Sequence, residues 1–155
     1  EWAKKNNVSS VDAAVINIGG IRSTIGAGDI TIKHVFEIMP FENEIYIVKM
    51  KGSDLQGLFD YYKENLTNNP VSKLIIETDG KTFTKQLING QPVDPNKTYY
   101  IATSDYLAFG GDYMSFFTKG ENITTGIKLR ELFLEKFKQN PEVKVPTDIR
   151  LTFKK

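Results

Sequence analysis

The chain has 155 residues, with 20 Lys and Arg against 19 Asp and Glu and a net charge of +1. That length suits one domain with a real hydrophobic core, and such an even balance without an arginine-rich run gives no sign of a polyanion partner such as DNA. Cysteine is absent, which excludes disulfides, thiolate metal ligands and a thiol nucleophile, and no apolar stretch reaches the length of a membrane span.

The opening Glu1-Trp2-Ala3-Lys4-Lys5 reads like the last turns of an amphipathic helix. Such a start suggests an excised or processed fragment, so residues 1–155 are expected to form a single domain truncated at its N-terminus. Residues 12–17 run apolar and read as a buried strand. That strand leads into Asn17-Ile18-Gly19-Gly20-Ile21-Arg22. Thr31 is a helix N-cap, and its short helix ends before Pro40. Residues 44–50 alternate and are rich in β-branched side chains, the pattern of a strand. Ser53-Asp54-Leu55-Gln56 has the form of a capping box, in which the hydroxyl and the amide satisfy each other's backbone donors. The helix that follows carries Leu55, Leu58, Phe59, Tyr62 and Leu66 on one side, a core-facing stripe. Residues 74–78 and 82–87, joined across Asp79-Gly80, read as a hairpin. Residues 99–103 form a strand that feeds Tyr106-Leu107-Ala108-Phe109-Gly110-Gly111-Asp112. Thr125 is placed as the cap of a helix over 126–139, with Leu129, Leu132, Phe133 and Phe137 facing inward and Asn140-Pro141 as its stop. Residues 149–153 close the chain as a strand. Strands and helices interleave around at least one hairpin, which argues α/β or α+β.

His34 is the only histidine. It falls in the predicted helix before Pro40, where a structural role is expected. A two-metal phosphoesterase centre needs several His and Asp ligands converging on both ions, and one histidine cannot build that shell. No nucleophile motif accompanies His34. Gly19-Gly20 lacks the Gly-Lys-Ser/Thr of a Walker phosphate loop. No metal ligand set and no catalytic residue are therefore assigned to this chain. Asn7-Val8-Ser9, Asn65-Leu66-Thr67, Asn96-Lys97-Thr98 and Asn122-Ile123-Thr124 are glycosylation-type tripeptides, of the kind that an Asn- and Thr-rich chain produces by chance.

The two glycine turns stand apart. Each leaves a strand-like run, breaks into paired glycines and ends on a charge of opposite sign, Arg22 or Asp112. Paired glycines leave the backbone open to a ligand. A guanidinium presents a planar fork suited to phosphate or ribose oxygens, while a carboxylate accepts from hydroxyls. Together with Pro40-Phe41-Glu42-Asn43 and Gly90-Gln91-Pro92-Val93-Asp94-Pro95-Asn96-Lys97-Thr98-Tyr99, in that order along the chain, these turns resemble the C-terminal domain of the 5'-nucleotidase family. That family includes bacterial UDP-sugar hydrolases and animal ecto-5'-nucleotidases. The resemblance runs over residues 13–153.

The resemblance implies an α+β domain with mixed sheets packed between helical layers (α/β/β/α). It implies the nucleotide- or nucleoside-binding, substrate-specificity domain of a 5'-nucleotidase-type phosphohydrolase of nucleotide catabolism. The partner is then an N-terminal metallophosphoesterase domain of the same parent chain, carrying two divalent metals, zinc or manganese. The same domain serves 2',3'-cyclic nucleotide phosphodiesterases and UDP-sugar hydrolases, and a non-catalytic small-molecule binding module remains an alternative. The relatives work outside the cytoplasm, in the periplasm or at the cell surface. Carried over by position, the substrate-binding residues are Asn17, Gly19, Gly20, Arg22, Phe41, Tyr106, Gly110, Gly111 and Asp112. Phe41 and Tyr106 would sandwich the base, or else be core and strand-end filler. Stacking on one ring is worth roughly 1–3 kcal/mol, so two rings give an affinity of about a millimolar. Arg22 would reach ribose or phosphate, or else pair with Asp29 or Glu42 at the surface. Asn17 would sit near base or ribose, or else serve its own turn. Asp112 would accept from ribose hydroxyls, or else cap residues 113–117. Two positions depart from the family pattern: Tyr113 stands where a glycine usually follows Gly-Gly-Asp, and Phe109 stands where Asn or Thr commonly precedes the glycine pair.

Overall fold

In the computed structural model, residues 2–6, 8, 10–140 and 142–154 are described. Glu1, the Asn7 and Ser9 of the first tripeptide and the Pro141 stop lie outside them. In chain order the elements are α1 (Trp2–Lys5), β1 (Ala13–Val15), a 3-10 turn (Ile18–Gly20), α2 (Ile32–Ile38), β2 (Glu44–Lys51), α3 (Gly52–Asn65), β3 (Val71–Ser72), β4 (Leu74–Thr78), β5 (Phe83–Ile88) and β6 (Gln91–Pro92). There follow β7 (Thr98–Ser104), α4 (Asp105–Ala108), 3-10 turns Gly111–Tyr113 and Ser115–Lys119, β8 (Glu121–Lys128), α5 (Leu129–Gln139) and β9 (Leu151–Phe153). Five strands form one sheet in the order β3-β1-β7-β2-β8, and four form another in the order β6-β5-β4-β9. Both sheets mix parallel and antiparallel pairs, so the domain is α+β.

The core gathers around α3, which packs against β2 of the first sheet and β4 of the second. Leu55, Leu58, Phe59 and Tyr62 are buried, as their spacing predicts, and join Val15, Val48, Ile101, Leu74 and Ile76 in one cluster. Leu66 does not; it ends α3 in the left-handed conformation with φ 47 and is exposed. The expected capping box at Ser53 is also absent. α3 begins at Gly52, and the loop before β7 supplies the partners: Gly52 N–H donates to Lys97 O at 2.8 Å and Ser53 N–H to Pro95 O at 3.0 Å. That loop lies so close that a Cβ on Gly52 would fall 2.0 Å from Asp94 O. Helix-start donors need some acceptor, and here backbone carbonyls replace a side-chain cap.

Residues 121–128 correct the sequence reading. They form strand β8, paired with β2, and the helix begins only at Leu129. Thr125 caps no helix. Its hydroxyl donates to Ile45 O at 2.6 Å and accepts from Ile127 N–H at 3.1 Å, closing a register shift between the strands. Gly126 sits beside it at φ 70, a left-handed value that glycine adopts without strain. α5 has no fully buried residue; Leu129, Phe133 and Phe137 are half-buried and Leu132 is exposed.

Sheet topology decides where the motifs go. β1 runs parallel to β7, with Ala13 opposite Ile101 and Ala14 opposite Ala102. The two glycine turns both follow the carboxyl ends of these neighbours. β2 runs antiparallel to β7, with Ile45 opposite Ser104. Its entry, the turn bearing Phe41 and Asn43, therefore lies at the same end of the sheet.

Candidate functional site

The first turn is anchored from below. Ile18 N–H donates to the amide oxygen of buried Asn69 at 2.8 Å. The Tyr62 hydroxyl in turn donates to Asn69 O at 3.2 Å, and burial pushes that phenol well above its ordinary pKa. Asn17 makes no capping bond; its side chain lies over the glycine pair, 3.3 Å from where a Gly20 Cβ would stand. Arg22 is exposed and returns one N–H to Gly19 O at 3.2 Å, while its backbone N–H donates to Ile38 O at 2.8 Å. No ion pair to Asp29 or Glu42 forms among the described residues. The guanidinium lies instead 5.9 Å from the centroid of the Phe41 ring, within cation–π range.

Phe41 is 49% exposed, so it is not core. Its turn is held by Arg130 of α5, a residue that no local pattern marks. Arg130 donates to Met39 O at 3.1 Å and Phe41 O at 3.4 Å, pairs with the Glu42 carboxylate and lies 4.1 Å over the Phe36 ring. Asn43 then fastens this turn to the second glycine motif, donating from Nδ2 to Asp105 Oδ1 at 2.7 Å. Asp105 also accepts the Glu44 N–H at 3.2 Å and its neighbour's Tyr106 N–H at 2.7 Å. One carboxylate thus joins the entry of β2 to the start of α4.

Tyr106 is 48% exposed. Its hydroxyl donates to Asp112 Oδ1 at 2.8 Å and accepts the Asp112 N–H at 3.1 Å. Donation to that carboxylate raises the phenol's pKa above its ordinary value. The ring closes onto Gly111, where a Cβ would fall 2.6 Å from two ring carbons and 2.5 Å from Tyr106 O. Gly110 takes φ 91, a value open to glycine. The turn then passes through Asp112 at φ 51 and Tyr113 at φ 63. Tyr113 is 93% exposed and has almost no burial to offset a left-handed backbone. Left-handed L-residues cost roughly 1–2 kcal/mol, and part of the gain from glycine is returned as unfolded-state entropy. Tyr113→Gly is therefore expected to stabilise the chain by about 0.5–1 kcal/mol in urea denaturation; a loss of stability would contradict the assigned strain.

At the second turn opens a cleft of about 610 Å³, lined by Asn43, Tyr46, Asp105, Tyr106, Phe109, Gly110 and Gly111; Asn17, Gly19, Gly20, Arg22, Phe41 and Asp112 are not among its lining residues. A second concavity of about 530 Å³, between the start of α3 and β5–β6, is lined by none of the residues of the two glycine turns or the Phe41 turn, but by Pro92, Val93 and Pro95 of the Gly90–Tyr99 motif. The lysine lining it, Lys85, is already paired with Glu77 at 2.8 Å. Sequence reasoning named Phe41, Tyr106, Arg22 and Asp112. It missed Asp105, Arg130 and Asn69, whose bonds to Asn43, Phe41 and Ile18 span 51 or more residues. His34 serves its helix: Nδ1 accepts the Thr31 N–H at 3.2 Å, and the Thr31 hydroxyl accepts the His34 N–H at 3.3 Å. Among the described residues no group of three or more His, Asp or Glu side chains is placed to hold a metal ion, and no helix is long and apolar enough to cross a membrane.

Comparison with known proteins gives the family and the fold. Residues 3–119 match the family model described as 5'-nucleotidase, C-terminal domain. The protein UshA of Yersinia enterocolitica is 35% identical over 123 residues, covering 76% of this chain and 22% of that protein. The NAD 5'-nucleotidase of Haemophilus influenzae is 27% identical over 96% of this chain and 29% of its own length. Among solved structures, the 5'-nucleotidase precursor of Thermus thermophilus superposes with a TM-score of 0.81 at 24% identity, which speaks for the fold alone, over 99% of this chain and 33% of that one. The chain thus spans between about a fifth and a third of the length of these relatives. With the family model covering most of the chain, this protein belongs to the family of 5'-nucleotidase C-terminal domains.

Proposed function

We propose that the cleft binds a nucleoside or nucleotide and serves as the substrate-recognition part of a 5'-nucleotidase-type phosphohydrolase that works outside the cytoplasm. The observation that carries this reading is the pair of half-exposed rings, Phe41 and Tyr106, on turns that Asn43 and Asp105 fasten together. Both rings leave an apolar face in water, and every base offers a face that can stack on it. Arg22, over the Phe41 ring, has guanidinium donors left over for ribose or phosphate oxygens. Asp112 holds the Tyr106 hydroxyl through one oxygen, which leaves Oδ2 for a ribose hydroxyl. Phe41, Tyr106, Arg22 and Asp112 are the proposed contacts. Asn17 and the glycine pairs shape the two turns.

The hydrolytic centre belongs, in this reading, to a metallophosphoesterase domain of the parent protein that holds two divalent cations. The only histidine of this chain is engaged in capping a helix. Incubated with AMP and zinc or manganese, this chain is expected to release no phosphate above background. Binding is tested by titrating adenosine or AMP and following the aromatic proton shifts of Phe41 and Tyr106. An affinity of about a millimolar is expected from two stacking faces. Tyr106→Leu should weaken it by about tenfold, near the lower end of what one stacked ring contributes, while Tyr106→Phe, which loses the same two bonds to Asp112, should lower the thermal melt as much and keep binding. Shifts that fail to appear at several millimolar ligand, or a Tyr106→Phe variant that loses binding as Tyr106→Leu does, would overturn the reading. UDP-sugar hydrolysis and cyclic nucleotide cleavage would use the same stacked base, so the choice of leaving group rests with the other domain.

A further inference from the structure

Two rings of the cleft, Tyr46 and Phe109, have no part in the contacts above. Phe109 caps the carboxyl end of α4, three positions beyond Tyr106, and is 64% exposed. It is nonetheless held in place. Its ring stands edge-to-face on Tyr46, with centroids 5.4 Å apart and planes at 67°. Tyr46 is fixed inside the sheet, opposite Thr103 of β7 and Thr124 of β8. Such T-shaped pairs are a favoured aromatic geometry. The result is an oriented, solvent-facing ring on the same cleft as Tyr106.

Its neighbours leave ring area as the main means of discrimination there. Asp105, the charged group lining this cleft, already accepts from Asn43, from Glu44 N–H and from Tyr106 N–H. Asn43 Nδ2 is committed to that carboxylate. A one-ring base matches the area of a single tyrosine face. A fused two-ring base overhangs it, and the overhang needs a further apolar surface to leave water.

We infer that Phe109, supported by Tyr46, is a specificity-determining residue that contacts the second ring of a purine and makes the cleft favour purine over pyrimidine nucleosides. The inference rests on the nucleoside-binding reading above and deepens it. Adenosine and cytidine affinities of the full chain, measured by NMR titration, test both. The unsubstituted chain is expected to bind adenosine about fivefold or more tighter than cytidine, within the range of partial base stacking. Phe109→Thr should erase that preference by weakening adenosine about fivefold while leaving cytidine within about twofold. Phe109→Leu, which keeps apolar bulk without a flat face, should behave like Phe109→Thr, and Phe109→Tyr should keep the preference. Loss of the pair with Tyr46 should lower the melt slightly and alike in Phe109→Thr and Phe109→Leu, with Phe109→Tyr unchanged. Adenine H2 or H8 should show nuclear Overhauser contacts to the Phe109 ring. Equal affinity for the two nucleosides, or a Phe109→Thr variant whose ratio matches the unsubstituted chain, overturns this inference and leaves nucleoside binding intact. Failure of the unsubstituted chain to bind either nucleoside overturns both.

Discussion

Asp105→Ala is expected to lower folding stability by about 3 kcal/mol and to weaken nucleoside binding together with it. Three donors converge on this one carboxylate: Asn43 Nδ2, Glu44 N–H and Tyr106 N–H. Hydrogen bonds to a charged acceptor contribute roughly 1.5–3 kcal/mol each, and partly buried donors left unpaired add their desolvation cost. The three share one group, so their sum is not the answer and about 3 kcal/mol is a fair total. The consequence for binding is geometric. Asn43 follows Phe41 by two positions and Tyr106 follows Asp105 directly, so loss of the carboxylate frees the two ring-bearing turns from each other. Asp105→Asn separates the causes. It keeps Oδ1 as an acceptor but loses the charge, and should retain about half the stability and most of the binding. Urea denaturation with adenosine titration on both variants checks this. An Asp105→Ala chain as stable as the unsubstituted one would show that the clamp does nothing.

Much of the fold was readable because much of it is local. β2, the β4–β5 hairpin and β7 show as alternation and turn chemistry within a few residues of themselves. Thr31 caps α2 because its partner, His34, is three positions away. Leu66 failed locally, at the left-handed end of α3; the two misread caps failed because the deciding partner was distant. Ser53 looks like a cap, yet the donors of α3 are met by carbonyls at residues 95 and 97. Thr125 looks like a cap because a hydroxyl that can close a helix can equally close a bulge; its true partner is Ile45, 80 residues earlier. The candidate site divides in the same way. Phe41, Tyr106, Arg22 and Asp112 stand in short motifs whose residue types speak for themselves. Asp105, Arg130 and Asn69 hold those motifs in place and resemble any surface charge or loop amide until the chain is folded. The exposed rings of Phe109 and Tyr113 were legible as departures from the family pattern. Only the left-handed backbone at Tyr113 and the ring beneath Phe109 say what those departures mean.

Gly111→Ala should abolish detectable nucleoside binding while costing about 2 kcal/mol of stability. The usual reason for a glycine in a turn is backbone freedom, but Gly111 is not among the residues of positive φ. Space is the constraint here. The added methyl would lie 2.5 Å from Tyr106 O and 2.6 Å from the Tyr106 Cε2 and Cζ atoms. Carbonyl and methyl cannot both stay, and overpacking of this kind costs roughly 1–3 kcal/mol. The ring has the easier way out because its outer face is open to solvent. By swinging away it breaks both hydroxyl bonds to Asp112, at 2.8 and 3.1 Å, and vacates the stacking position. Binding therefore falls further than it does in Tyr106→Leu, where an apolar side chain still occupies the place. The two variants together discriminate between explanations. If Gly111 serves mainly to let a ligand reach the backbone, Gly111→Ala should weaken binding without shifting the Tyr106 ring protons of the free chain. If it serves to seat the ring, those resonances move before any ligand is added, and the near-ultraviolet circular dichroism of the tyrosine changes with them. The contact distances favour the second result, and unmoved Tyr106 resonances in Gly111→Ala would refute it.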